Sequence, residues 1–165
     1  MGVEKNMAQD MMMQRQGNDD SDTMRNMFFI FDIENEEYGI EVAHVREILN
    51  ISEYPITKVP QLPGYIEGII NMRGDLIGVL DVRKRFGKMP KEYDEQTCIV
   101  VISYNGYTLG LIVDGVRATQ TIQPENISQP PSAKLNSYNQ FIRNIGMVGN
   151  GVKLLMDLER FLDPQ

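Results

Sequence analysis

From Met27 onward apolar residues come in short runs parted by compact polar breaks, whereas the first 25 positions, rich in Met, Gln, Asn and Asp, show no apolar period. FFIFDI, the break Glu34-Asn35-Glu36-Glu37 and YGIEVAHV predict a β-hairpin running into a helical turn, where Val45, Ile48 and Leu49 hold helical spacing. Pro55, Pro60 and Pro63 impose an extended loop after it. The stretch from Gly68 to Gly87, GIINMRGDLIGVLDVRKRFG, organises the rest. It predicts two β-branched strands around the polar break Asn71, Arg73, Gly74 and Asp75. A helical turn follows, capped by Asp81, with Phe86 facing inward and Gly87 stopping it. Lys88 to Gln96, with Pro90, is a charged connection.

The second half repeats the first. CIVVISYNGYTLGLIVDGV lies over the first hairpin without a gap, so that Gly39 meets Gly110, Val45 meets Val116 and Arg46 meets Arg117, while Asn105-Gly106 supplies a tight hairpin turn. IGMVGNGVKLLMDLERFL repeats the Gly68 to Gly87 stretch with a one-residue drift in register, and Asp157 opens its helix. The intervening TIQPENISQPPSAKLNSYNQFIR is a proline-punctuated loop. An internal duplication of a small β unit follows. Residues 1–25 are expected to be a disordered tail and 26–165 the folded domain, in approximate halves 26–95 and 96–165, with exchange of strands between the halves left open.

Composition narrows the function by exclusion. A net charge of −7 and an isoelectric point near 4.7 argue against general binding to nucleic acid or anionic lipid. Arg83, Lys84, Arg85, Lys88 and Lys91 form the one basic cluster, read as a solvated face. The single cysteine, Cys98, sits in an apolar run as a buried thiol, and no run approaches the roughly 20 residues that cross a bilayer, so a soluble, cytoplasmic protein is expected.

Catalytic chemistry finds no support. His44 stands alone, without neighbours for a metal site or a nucleophile pair, and no phosphate-cradling glycine loop is present. Asp81 and Asp157 are equivalent carboxylates, but they lack the small neighbours that let a dyad share a proton, and capping explains both. A non-enzyme without cofactor or metal is expected. Arg73 is the exception to the packing logic: an arginine in a tight turn between apolar strands has no role in a core.

Val59-Pro60, Pro63, Tyr65, Gly68 and Asn71-Met72-Arg73-Gly74, continued on both sides from Phe28 to Leu162, resemble the CheW family, the coupling proteins of bacterial chemotaxis. The resemblance implies a mainly β fold of two small SH3-like five-stranded barrels with short helices. It also implies a scaffold joining the cytoplasmic tips of chemoreceptors to the regulatory domain of the kinase CheA, at membrane-bound receptor arrays and without inserting into the membrane. Carried over by motif, the receptor-facing positions are Val45 and Glu47 in the turn VREI, with Gly68 and Arg73 in GIINMRG. The competing reading is a β-barrel module binding a small ligand or a nucleic-acid strand at its mouth. That reading needs basic and aromatic residues interleaved on one face, and here the aromatics fall mostly in apolar runs.

Overall fold

Phe28–Phe31 and Ile99–Ile102 are apolar at every position because both faces of their strands are covered. In the computed structural model, which describes residues 24–130, 140–149 and 151–163, these runs form the middles of β1 (Met27–Ile33) and β6 (Cys98–Tyr104). Phe28 and Ile30 face a small core with Ile122 and Leu155. Ile99 and Val101 face another, with Leu49, Ile70, Ile77, Val79 and Ile112. Their alternate neighbours Phe29, Phe31, Ile33, Val100 and Ile102 all enter a third, central core that both sheets share. Strand periodicity thus feeds three cores from two strands.

The remaining elements are β2 (Glu36–Glu41), β3 (Val45–Asn50), β4 (Ile66–Met72), β5 (Asp75–Asp81), α1 (Val82–Arg85), β7 (Tyr107–Val113), the short strands β8 (Gly115–Val116), β9 (Gln120–Thr121) and β10 (Ile127–Ser128), then β11 (Ile142–Val148), β12 (Gly151–Met156) and α2 (Leu158–Phe161). One sheet has the order β8-β1-β2-β12-β11-β10, with β9 also against β1, and the other β3-β6-β7-β5-β4. The five strands β3-β6-β7-β5-β4 correspond in order to β8-β1-β2-β12-β11, with β9 and β10 additional in the first sheet. Each unit combines a hairpin from one half of the sequence with strands from the other: β5 runs parallel to β7, Val79 opposite Gly110, and β12 runs parallel to β2, Leu154 opposite Tyr38. Gly39 and Gly110 hold equivalent places at these junctions, where a Cβ would lie 2.9 Å from Leu155 and 2.7 Å from Ile99.

Three expectations change. Residues 45–50 are strand, not helix: the turn Val42–His44 is a single 3-10 turn, and β3 pairs with β6 from Val45↔Ile102 to Asn50↔Cys98. The extra residue Arg46 forms a bulge there, which breaks the alternation and leaves an apolar spacing that imitates a helix. The second repeat does not drift, since Met72↔Asp75 with Asp81 and Val148↔Gly151 with Asp157 keep one constant separation. The basic cluster is not a solvated face. Arg83 grips Asp114 in a forked pair at 2.6–3.0 Å, which raises its pKa, Lys84 meets Glu67, Lys88 meets Glu34 and Lys91 meets Asp94. Cys98 is half-buried, and burial raises its thiol pKa. The expected tail lies outside the described residues except for Met24 and Arg25, as does 131–139 of the proline loop.

Both aspartates cap. Asp81 accepts the Lys84 amide at 3.3 Å and the Tyr93 hydroxyl at 2.8 Å, and burial, together with this hydrogen bond, raises the tyrosine's pKa; Asp157 accepts the Arg160 amide. Gly87, at φ +75, ends α1.

Arg85 ties the halves together. Its guanidinium lies 4.6 Å from the Tyr65 ring centre and 4.7 Å from that of Phe141, while it donates to the Phe161 and Asp163 carbonyls at 2.9 and 2.6 Å, at the end of α2. A lysine keeps the charge but loses the planar fork. Arg85→Lys is expected to cost about 1 kcal/mol in denaturant unfolding, and an unchanged midpoint would contradict this clamp. Because neither sheet is complete within one half of the sequence, the whole domain is expected to melt in one calorimetric transition. Two separated transitions would count against the shared core.

Candidate functional site

β3 and β4 are the outer strands of the second sheet, and the barrel closes where the chain after β3 meets β4. There Thr57 and Ile69 exchange amide–carbonyl hydrogen bonds of 2.8 and 2.9 Å. The β4–β5 turn, Arg73-Gly74, has φ values of +53 and +91, the geometry of a type I′ hairpin, and Asn71 Oδ1 accepts the Gly74 amide at 2.8 Å. This closure carries the Arg73 side chain over to β3, where its guanidinium donates to the Glu47 carboxylate. The arginine side chain is 72% exposed and the glutamate 27%, so the pair lies at the surface of the second barrel.

The four expected docking residues divide. Glu47 and Arg73 are brought together although 26 residues apart. Val45 is half-buried, opposite Ile102, and packs against the central core. Gly68 is buried in β4 beside a bulge at Glu67, with φ +148, and a Cβ there would lie 2.1 Å from the Thr57 carbonyl oxygen. Its backbone role is to let the barrel seam close.

The duplicated unit serves as an internal control. Val148↔Gly151 frames the equivalent turn of the first barrel, where Gly149 takes φ +57, almost the Arg73 value. Glycine adopts that conformation freely, whereas a side chain in it costs about 1–2 kcal/mol. Ala118 occupies the place matching Glu47. The ion pair and the strained arginine therefore belong to the second barrel. Glu34, Gln61 and Asn105 hold the same left-handed backbone, so what distinguishes this turn from its equivalent is the ion pair to Glu47. The sequence held that signal in Arg73-Gly74 overlying Gly149-Asn150.

His44 Nε2 lies 3.6 Å from Glu41, and the ring packs edge-on to Tyr104 with centroids 5.2 Å apart. Among the described residues no group of histidine, cysteine and carboxylate could hold a metal ion, and no helix is long and apolar enough to cross a membrane.

A family model, the CheW-like domain, matches residues 27–165 and so spans both barrels. The chain is 29% identical over 144 residues to the chemotaxis protein CheW of Klebsiella aerogenes, covering 87% of this chain and 86% of that one. It is 30% identical over 129 residues to a probable chemotaxis protein CheW of Rhizobium etli, covering 78% and 82%. Among solved structures, the scaffolding protein TtCheW of Thermoanaerobacter tengcongensis superposes with a TM-score of 0.77 at 30% identity, covering 84% of this chain and 92% of that one. This chain belongs to the CheW-like domain family.

Proposed function

We propose that this protein is a non-catalytic adaptor of bacterial chemotaxis signalling, which couples the cytoplasmic tips of chemoreceptors to the regulatory domain of the kinase CheA. Family membership across residues 27–165 carries the reading, because both barrels belong to the matched domain. The exposed Glu47–Arg73 pair is its receptor-facing feature, with Val45 and Gly68 supporting the strand and seam that hold it. The adaptor works in the cytoplasm and joins membrane-bound arrays through its partners.

The competing reading of a ligand-binding or nucleic-acid-binding mouth is disfavoured by the fate of the aromatic rings. Phe28, Phe29, Phe31, Tyr38, Phe86, Phe141 and Phe161 are buried, so they offer no stacking platform, and the net charge is −7. The test is a three-component mixture analysed by size-exclusion chromatography. The full chain is expected to bring a receptor-tip fragment and the kinase regulatory domain into one complex. Failure to bind either one contradicts the proposal.

A further inference from the structure

We infer that Arg46 is a docking cation at the surface of the second barrel, receiving a carboxylate of the receptor-side partner; this rests on the coupling function above.

The argument starts from the duplication. Val45 lies opposite Ile102 in the second barrel as Val116 lies opposite Phe31 in the first, so Arg46 and Arg117 come next at equivalent places. In the first barrel the arginine is fully matched. Arg117 Nε donates to Asp32 at 2.7 Å and lies 3.1 Å from Glu37, which also pairs with the buried Lys153. These four side chains run from the residue after β8 across β1, β2 and β12 in sequence, and the two positive and two negative charges cancel.

In the second barrel the cation is kept and both anions are gone. Register puts Ser103 where the first barrel has Asp32, Thr108 where it has Glu37 and Ile77 where it has Lys153. Arg46 touches the Ser103 hydroxyl at 3.4 Å, a long contact, and makes no ion pair among the described residues. The adjacent carboxylate, Glu47, is already held by Arg73. The bulge at Arg46 turns this exposed residue out of the strand ladder. Of these two neighbouring guanidinium groups only that of Arg73 is ion-paired among the described residues, on a protein whose overall charge is −7. A carboxylate brought by a partner would complete there the charge set that the first barrel completes internally.

The test measures the full chain against a receptor-tip fragment and against the kinase regulatory domain, each at low and high salt. Arg46→Ala is expected to weaken receptor binding five- to tenfold, flatten its salt dependence and leave kinase binding within twofold. Ser103→Asp supplies internally the carboxylate that Asp32 supplies in the first barrel. It is expected to weaken receptor binding similarly without lowering the melting temperature. Unchanged receptor affinity and salt dependence in Arg46→Ala, with Arg73→Ala still impaired, would overturn the inference alone and leave Arg46 a solvated side chain. A wild-type chain that does not bind the receptor fragment would overturn the coupling function and this inference with it.

Discussion

Gly68→Ala is expected to destabilise the domain by about 3 kcal/mol, a drop of roughly 6–12 °C in melting temperature for a domain of this size. The new Cβ would lie 2.1 Å from the Thr57 carbonyl oxygen and 2.8 Å from its carbon, both backbone atoms that no rotamer change can move aside. The Thr57 oxygen cannot retreat cheaply, because it accepts the Ile69 amide in the bridge that closes the second barrel. The backbone at φ +148 adds its own penalty for any side chain. Gly64→Ala is the matched control: a Cβ there meets nothing within 4 Å, and stability is expected to be nearly unchanged. Should Gly68→Ala melt like the wild type yet lose receptor binding, Gly68 would be a contact residue, and the seam would not need its missing side chain.

Local patterns were legible in the sequence and non-local ones were not. The hairpins, the Asn105-Gly106 turn, the caps at Asp81 and Asp157 and the stop at Gly87 depend on a few neighbouring residues, and the structure has each of them. The apolar runs of β1 and β6 marked them as strands, but not that their two faces enter different cores. The parallel pairs β5–β7 and β12–β2 decide how the halves interlock, and no local signal specifies a partner strand that far along the chain. β3 was misread for a physical reason, since one bulge residue shifted a period of two toward a helical spacing. The basic cluster was misread because its acidic partners, such as Glu34 and Asp114, are distant in sequence. At the candidate site the odd placement of Arg73 was visible, whereas its pairing with Glu47 needed the closed barrel.

Arg73→Ala is expected to bind a receptor-tip fragment at least tenfold more weakly while remaining folded. An exposed ion pair contributes at most about 1 kcal/mol, and the side chain touches no core, so the stability change should stay within about 0.5 kcal/mol. An interface arginine that acts as a hot spot is worth about 2 kcal/mol or more to binding. Arg73→Gly sharpens the contrast. It places at φ +53 the residue that Gly149 provides at φ +57, so stability should hold or rise by about 0.5 kcal/mol, after the greater freedom of glycine in the unfolded chain is subtracted. A substitution that leaves the fold as stable or more so while removing function marks a side chain kept for a partner. The most direct measurement is a calorimetric titration of Arg73→Gly with the receptor-tip fragment and, separately, with the kinase regulatory domain. The adaptor account predicts a tenfold or greater loss for the receptor and an unchanged affinity for the kinase. Wild-type affinity for the receptor would contradict the assignment of Arg73 to the docking site.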